Sequence, residues 1–219
     1  MTRLGCKNCE PHRRMGGLIA GLASEEMNDE EKLSRDISNE AYSGENERKN
    51  FGGFEYRAGD SDKRTAVYHN PKSKKTVIGY RGTADLKDAA FDTKILMGTQ
   101  NKSDEFKRNL SHFDRMQAKY GNSISVSGHS KGGAAAAHVS RYRNAKANVF
   151  NTGKGLPSLS SVRDRVRCAL PKPPPYCGRI TRHRITNDPV SVLDKFNYGK
   201  HKTYDTQGLK SHSMMSFYK

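Results

Sequence analysis

Residues 123–137 read SISVSGHSKGGAAAA: a short run alternating polar and apolar, then Gly128-His129-Ser130-Lys131-Gly132, then small residues with strong helix propensity. Ile124 and Val126 supply a strand, and Gly133 with the alanines at 134–137 lets a helix pack tightly on it. Strand, Gly-x-Ser-x-Gly turn and helix, in that order, form the setting of a nucleophile elbow. The backbone approaches the central serine from both sides, so the flanking positions cannot carry Cβ atoms. Ser130 would then project its hydroxyl from the top of a sheet with a helix N-terminus behind it. An ordinary β-turn-α junction with a capping serine shares the bare pattern. The helix-like stretch 103–120 upstream and the small residues downstream favour the elbow.

The surrounding chain is long enough for one domain with a real core, at 219 residues. Only 33% of residues are hydrophobic and the mean hydropathy is -0.90, which predicts a small core with polar margins. The net charge of +16 is unevenly placed. Residues 61–219 hold 30 Lys/Arg against 11 Asp/Glu, an excess of +19, and no glutamate follows Glu105. Such a surface attracts phosphates, on nucleic acid or on anionic lipid, unless it is merely a solvated basic face. No zinc-finger, RNP or helix-turn-helix signature is present, which argues against specific nucleic-acid reading.

Four cysteines bear on metal and redox chemistry. Cys6-x-x-Cys9 with His12 has metal-ligand spacing, but its second half would have to come from Cys168 and Cys177, which nothing in the sequence brings near. The reading is no metal, no cofactor and free thiols by default. A Cys168–Cys177 disulfide would close the loop ALPKPPPY if the chain meets an oxidising environment. Arg13-Arg14 ahead of an apolar run only loosely imitates a signal peptide, and no stretch reaches transmembrane length. Residues 1–27 read as a flexible or amphipathic arm and 28–219 as the folded domain. The expected setting is intracellular or virion-associated rather than secreted.

Along the domain, residues 28–42 predict a helix capped by Asn28 with acids in its first turn and Leu33, Ile37 and Ala41 at four-residue spacing. Strand-like runs at 64–69 and 75–80, joined by Asn70-Pro71-Lys72-Ser73, predict an antiparallel hairpin. A lid-like segment at 85–97, a helix at 103–120, the elbow strand and helix, a short strand at 148–151, a Pro-rich loop and a last strong strand at 179–186 follow. Alternating helix and strand after Tyr80 predicts an α/β fold with a mostly parallel central sheet flanked by helices.

An elbow serine needs a base, and the base needs an orienting carboxylate. In α/β-hydrolases they follow the serine in the order acid, then histidine. Only Asp164, Asp188, Asp194 and Asp205 lie downstream of Ser130. Asp188 ends a strand in a turn stiffened by Pro189, the place where active-site groups collect at the carboxyl edge of an α/β sheet. Only His201 and His212 follow it, and His201 sits between two lysines that favour solvation. His129 reads as a packing or turn residue, His138 as a helix-surface residue, and His69 and His183 as ordinary strand residues.

VIGYRGT (77–83), SVSGHSKGG (125–133), ITNDPV (185–190) and the terminal HSMMSF (212–217) together resemble the class 3, fungal-type, lipase family of α/β-hydrolases. The resemblance implies an α/β-hydrolase fold and hydrolysis of carboxylic esters of lipids through an acyl-enzyme. Its implied triad is Ser130 as nucleophile, His212 as base and then acid, and Asp188 as the orienting carboxylate. It implies an oxyanion hole from the backbone N–H groups of Thr83 and Lys131, and supporting roles for Asp88 and Asp92. Two departures matter: Lys131 puts a charge where the family commonly has an apolar residue, and the lid-like stretch is only modestly apolar. They favour a phospholipase or esterase over a triacylglycerol lipase, with peripheral contact to an anionic membrane surface. The rival reading is a basic binding or virion-associated protein on a catalytically inactive hydrolase scaffold. Oligomeric state is not legible.

Overall fold

The computed structural model describes residues 26–82, 104–152, 159–186, 188, 191, 194, 197–205 and 213–218, without the side chains of 159–161. Its frame is a seven-stranded sheet whose spatial order is the chain order: β1 (Glu55–Tyr56), β2 (Thr65–Asn70), β3 (Lys75–Tyr80), β4 (Ile124–His129), β5 (Lys146–Phe150), β6 (Ile180–Ile185) and β7 (Lys200–Tyr204). The first three strands pair antiparallel, and β3 through β7 are parallel. The helices are α1 (Asp29–Glu40), α2 (Asp104–Tyr120), α3 (Lys131–Arg143) and α4 (Leu159–Cys168) among the described residues. This mostly parallel sheet with flanking helices is the predicted α/β-hydrolase-type architecture.

Each parallel step moves one strand over in the same direction, and right-handed crossovers made that way put their helices on one face. The core follows this rule. Val67, Ile78 and Val126 point to one face and pack with Phe106, Phe113 and Met116 of α2 and Ala136 and Val139 of α3. Their strand neighbours Ala66, Tyr68 and Val77 point to the other face, where Ile37 of α1 and its C-cap Ala41 cover them. Strand alternation thus divides one sheet between two sets of helices.

α1 starts where its sequence says it should. Asn28 accepts from the Glu31 N–H at 2.9 Å, and Glu31 returns the bond to the Asn28 N–H at 2.9 Å, a reciprocal cap worth about 1 kcal/mol. Lys202 of β7 then reaches Glu31 at 2.8 Å, an almost buried ion pair that fastens the helix to the far edge of the sheet. Burial raises the Glu31 pKa, but the bonds from Lys202 and from the Asn28 N–H outweigh it and hold the carboxyl below its usual range.

Four features depart from the sequence reading. α4 lies in a segment read as loop, and β7 is a further strand beyond the one read as last. Cys168 and Cys177 are not free thiols: they form a disulfide with Cα atoms 5.5 Å apart, which also withdraws them from any metal site with Cys6 and Cys9. Residues 26 and 27 are already part of the folded body, since Met27 packs on Phe150, Ile185, Met214 and Phe217, and Lys202 donates to the Glu26 carbonyl at 3.1 Å. The rest of the predicted N-terminal arm, the lid-like segment with Asp88 and Asp92, and Cys6, Cys9 and His12 lie outside the described residues. Among the described residues no helix is long and apolar enough to cross a membrane.

Candidate active site

Ser130 occupies the single residue between β4 and α3, at φ 55° and ψ -123°. That backbone lies outside the wells open to L-residues, the left-handed one included, and costs on the order of 1–3 kcal/mol. Two glycines make it possible. A Cβ on Gly128 would collide with the backbone of Gly132, and one on Gly132 would run into the Tyr80 carbonyl. The turn is fixed by the Ser130 N–H donating to the Phe150 carbonyl at 3.0 Å and the Ala134 N–H donating to the Ser130 carbonyl at 3.1 Å.

Directly behind Ser130, Lys131 opens α3. Its N–H belongs to the first-turn donors that have no acceptor within the helix, and the helix dipole favours negative charge there. The Lys131 ammonium is drawn aside by Glu105 of α2, at 2.8 Å. Thr83, the other expected oxyanion donor, lies outside the described residues; its neighbour Gly82 ends the described stretch after β3, where a Cβ would collide with the Tyr42 hydroxyl and the His129 carbonyl.

His129 is buried as predicted for a packing residue, with Nδ1 3.0 Å from the Tyr42 hydroxyl. Burial pushes the Tyr42 phenol up to about 12, so it serves as a neutral prop under the elbow. His138 is less exposed to water than its surface reading implied: it stacks between Phe106 and Tyr142, with ring centroids 4.4 and 4.6 Å away.

The four downstream carboxylates sort themselves by partner. Asp164 is buried against Arg141 at 2.9 Å, Asp194 is buried against Arg182 at 2.7 Å, and Asp205 is exposed. Asp188 remains, 1% exposed, just past β6 at the same carboxyl edge as Ser130. Its carboxylate accepts from the Ser191 N–H at 3.0 Å, a bond that orients it. β4 and β6 are two strand steps apart, about 10 Å between axes.

His201 lies outside that span. It sits in β7, three steps or about 14 Å from β4, and its Nε2–H donates to the Asn197 carbonyl at 2.9 Å. It is half-buried rather than solvated as the sequence suggested, and burial lowers its pKa below the usual histidine value. His212 lies outside the described residues, but the segment after it docks as the sequence suggested: Met214 and Phe217 pack on Phe150 and Ile185, at the edge from which Ser130 and Asp188 emerge.

Sequence reasoning missed the groups that hold the aspartate loop. The buried Arg182 donates Nε–H to the Tyr198 carbonyl and Nη1–H to Asp194, both at 2.7 Å, spanning the loop between β6 and β7. Beside it His183 lies between the rings of Phe150 and Tyr204 and bonds to Asn148 and to the Tyr204 hydroxyl, at 3.3 and 2.7 Å. Burial drives its pKa down to about 3, so it stays neutral. A signal existed only in hindsight: charged residues at alternate positions of a strand must find partners if that face is covered.

A strained serine at the carboxyl edge, a helix N-terminus behind it and a buried aspartate two strands along define a hydrolase-type domain of the α/β class. Residues 20–208 match the model of a phospholipase-like family, the Tle-like phospholipase domain, and the chain belongs to that family. The Lip2 lipase from Yarrowia lipolytica shares the fold, with TM-score 0.53 and 16% identity over 84% of this chain and 82% of that one. A triacylglycerol lipase from Penicillium expansum is more distant, with TM-score 0.44 and 16% identity over 83% and 80% of the two chains. No curated protein sequence matches the chain.

Proposed function

We propose that the protein is a serine ester hydrolase that cleaves carboxylic esters of lipids, most directly phospholipids, through Ser130, His212 and Asp188. The observation that carries this reading is the backbone of Ser130, since a non-glycine residue held at φ 55° and ψ -123° between two crowded glycines needs a reason beyond turning the chain. In the proposed reaction Ser130 Oγ attacks the ester carbonyl as His212 takes its proton. The tetrahedral oxyanion accepts hydrogen bonds from the N–H groups of Lys131 and Thr83, each worth about 3–4 kcal/mol of barrier. Collapse expels the alcohol, which leaves with the proton from His212, and the acyl group stays on Ser130. Water, deprotonated by His212, then releases the fatty acid and restores the serine. Asp188 keeps the imidazole in the right tautomer and steadies the imidazolium. Membership of a phospholipase-like family supports the substrate class.

The excess of +19 in residues 61–219 supports peripheral contact with anionic bilayers, at about 1 kcal/mol per basic residue near the surface. The test is hydrolysis of anionic vesicles, neutral vesicles and a soluble short-chain ester as salt is raised, with Ser130→Ala as the inactive control. The expected result is a preference for anionic vesicles that salt erases while soluble-ester turnover holds steady. Equal salt loss on all substrates would remove the membrane reading, and undiminished turnover by Ser130→Ala would remove the nucleophile.

A further inference from the structure

Beside the elbow lies a pocket of about 280 Å³ lined by Lys63, Arg64, Arg81, Gly82, Glu105 and Lys131. Four elements build it. Lys63 and Arg64 enter β2, Arg81 leaves β3 alongside them with its N–H on the Arg64 carbonyl at 2.8 Å, and Glu105 and Lys131 belong to the first turns of α2 and α3. Four cations therefore surround one carboxylate. Glu105 holds two of them, Lys131 at 2.8 Å and Arg64 at 3.4 Å. Lys63 and Arg81 have no ion-pair partner among the described residues, and the Arg81 guanidinium lies over the Tyr42 ring at 5.9 Å.

Among the described residues its lining is charged apart from Gly82, with no apolar side chain, a composition that suits a small anion better than an acyl chain. Its charge surplus calls for a small anion, and arginine with lysine is the pairing that recognises phosphate. Lys131, next in sequence to Ser130, belongs to both the pocket lining and the elbow, so the two adjoin. We propose that the pocket is the subsite for the phosphodiester of a glycerophospholipid headgroup, with Glu105 as the counter-ion that holds the cations together until the phosphate takes its place. This inference rests on the lipid-ester reading above. It adds what that reading lacks, the residues that tell a phospholipid from a neutral ester.

The test separates binding from turnover. Full-length Ser130→Ala protein is titrated calorimetrically with a soluble glycerophosphodiester and with inorganic phosphate, and the titration is repeated with Lys63→Gln or Glu105→Gln added. Saturable binding of the diester is expected, weakened about tenfold by Lys63→Gln, as the loss of a hydrogen bond to a charged group implies, and strengthened by Glu105→Gln. A merely structural Glu105 would not tighten binding when neutralised. In the Ser130-containing protein, Lys63→Gln should raise KM for a monomeric short-chain phospholipid and leave a neutral ester of the same acyl length unmoved. No binding of either anion, or equal effects on both esters, overturns the subsite. Phosphate binding as tight as that of the diester would mark a free-phosphate site and also overturn the headgroup assignment. If the wild-type protein cleaves neither ester while the diester binds as expected, the hydrolase reading fails and the anion site stands.

Discussion

The serine side and the aspartate side of the candidate site are built in opposite ways. Around Ser130 the shape is set locally, by two glycines, one strained residue and the first turn of α3 within residues 128–134, with Tyr42, Tyr80 and Phe150 as its backing. Around Asp188 the bond from Ser191 is local, and the wider support comes from side chains on other elements. Its loop is held by Arg182–Asp194, the strand beneath it by His183 with Asn148 and Tyr204, and the outer strand by Lys202 on Glu31 of α1. The elbow stores strain, and the aspartate side stores buried charge. One half should respond to backbone changes and tolerate pH, while the other should respond to pH and to loss of a polar partner.

The largest expected effect tests whether the two halves work as one unit. Asp188→Asn should lower kcat by about 10⁴-fold, and His212→Ala should be at least as damaging, while both proteins stay folded. His201→Ala should leave kcat near the wild-type value, because its ring is committed to the Asn197 carbonyl. Steady-state turnover of a soluble ester decides this, and a dead His201→Ala would move the base to the wrong side of β6.

Next in size is the buried pair. Asp194→Ala leaves the Arg182 charge unpaired at 1% exposure and should cost about 3–5 kcal/mol in urea unfolding. A loss below about 1 kcal/mol would put the pair in the range of surface ion pairs and remove it as the support of the aspartate loop.

The smallest effect is a slope. His183 takes up a proton near 6.5 when unfolded but only near 3 when folded, so below pH 6.5 the unfolded chain binds more protons and stability falls with pH. The loss is about 1.4 kcal/mol per pH unit for one such group. Its protonation is eased by Glu31 and opposed by Lys202 and Lys200. His69 and His201, also lowered by burial, add to the same slope. Glu31 contributes separately: its lowered pKa stabilises the fold above about 4.5, and that stability is lost as pH falls through its folded value. Between pH 6.5 and 4.5, His183→Gln should therefore flatten the dependence by about one proton. An unchanged slope would show that His183 is not held neutral.

What could be read in the sequence follows the same division. The elbow, the hairpin and the Asn28 cap are local, so their residues announced them. α4 is weakly marked: of its described apolar side chains Val162 and Val166 face solvent, at 49% and 58% exposure, and Cys168 packs on the core. β7 reads Lys200-His-Lys-Thr-Tyr204, with no apolar alternation, because its inward positions are Lys202, satisfied by Glu31 on α1, and Tyr204, satisfied by His183. Such partners are over 170 positions away for Lys202, and no periodicity encodes them. The candidate triad could be named from motif order, whereas the polar framework that steadies its aspartate needed the fold.

In the proposed function, the strain at residue 130 serves a nucleophile. A serine-reactive fluorophosphonate, applied to the native full-length protein and followed by peptide mass spectrometry, tests it most directly. One adduct per chain is expected, on the Ser130 hydroxyl, absent after unfolding and absent in Ser130→Ala. Ester hydrolysis that continues with Ser130 unlabelled, or labelling that falls on another residue, would contradict it.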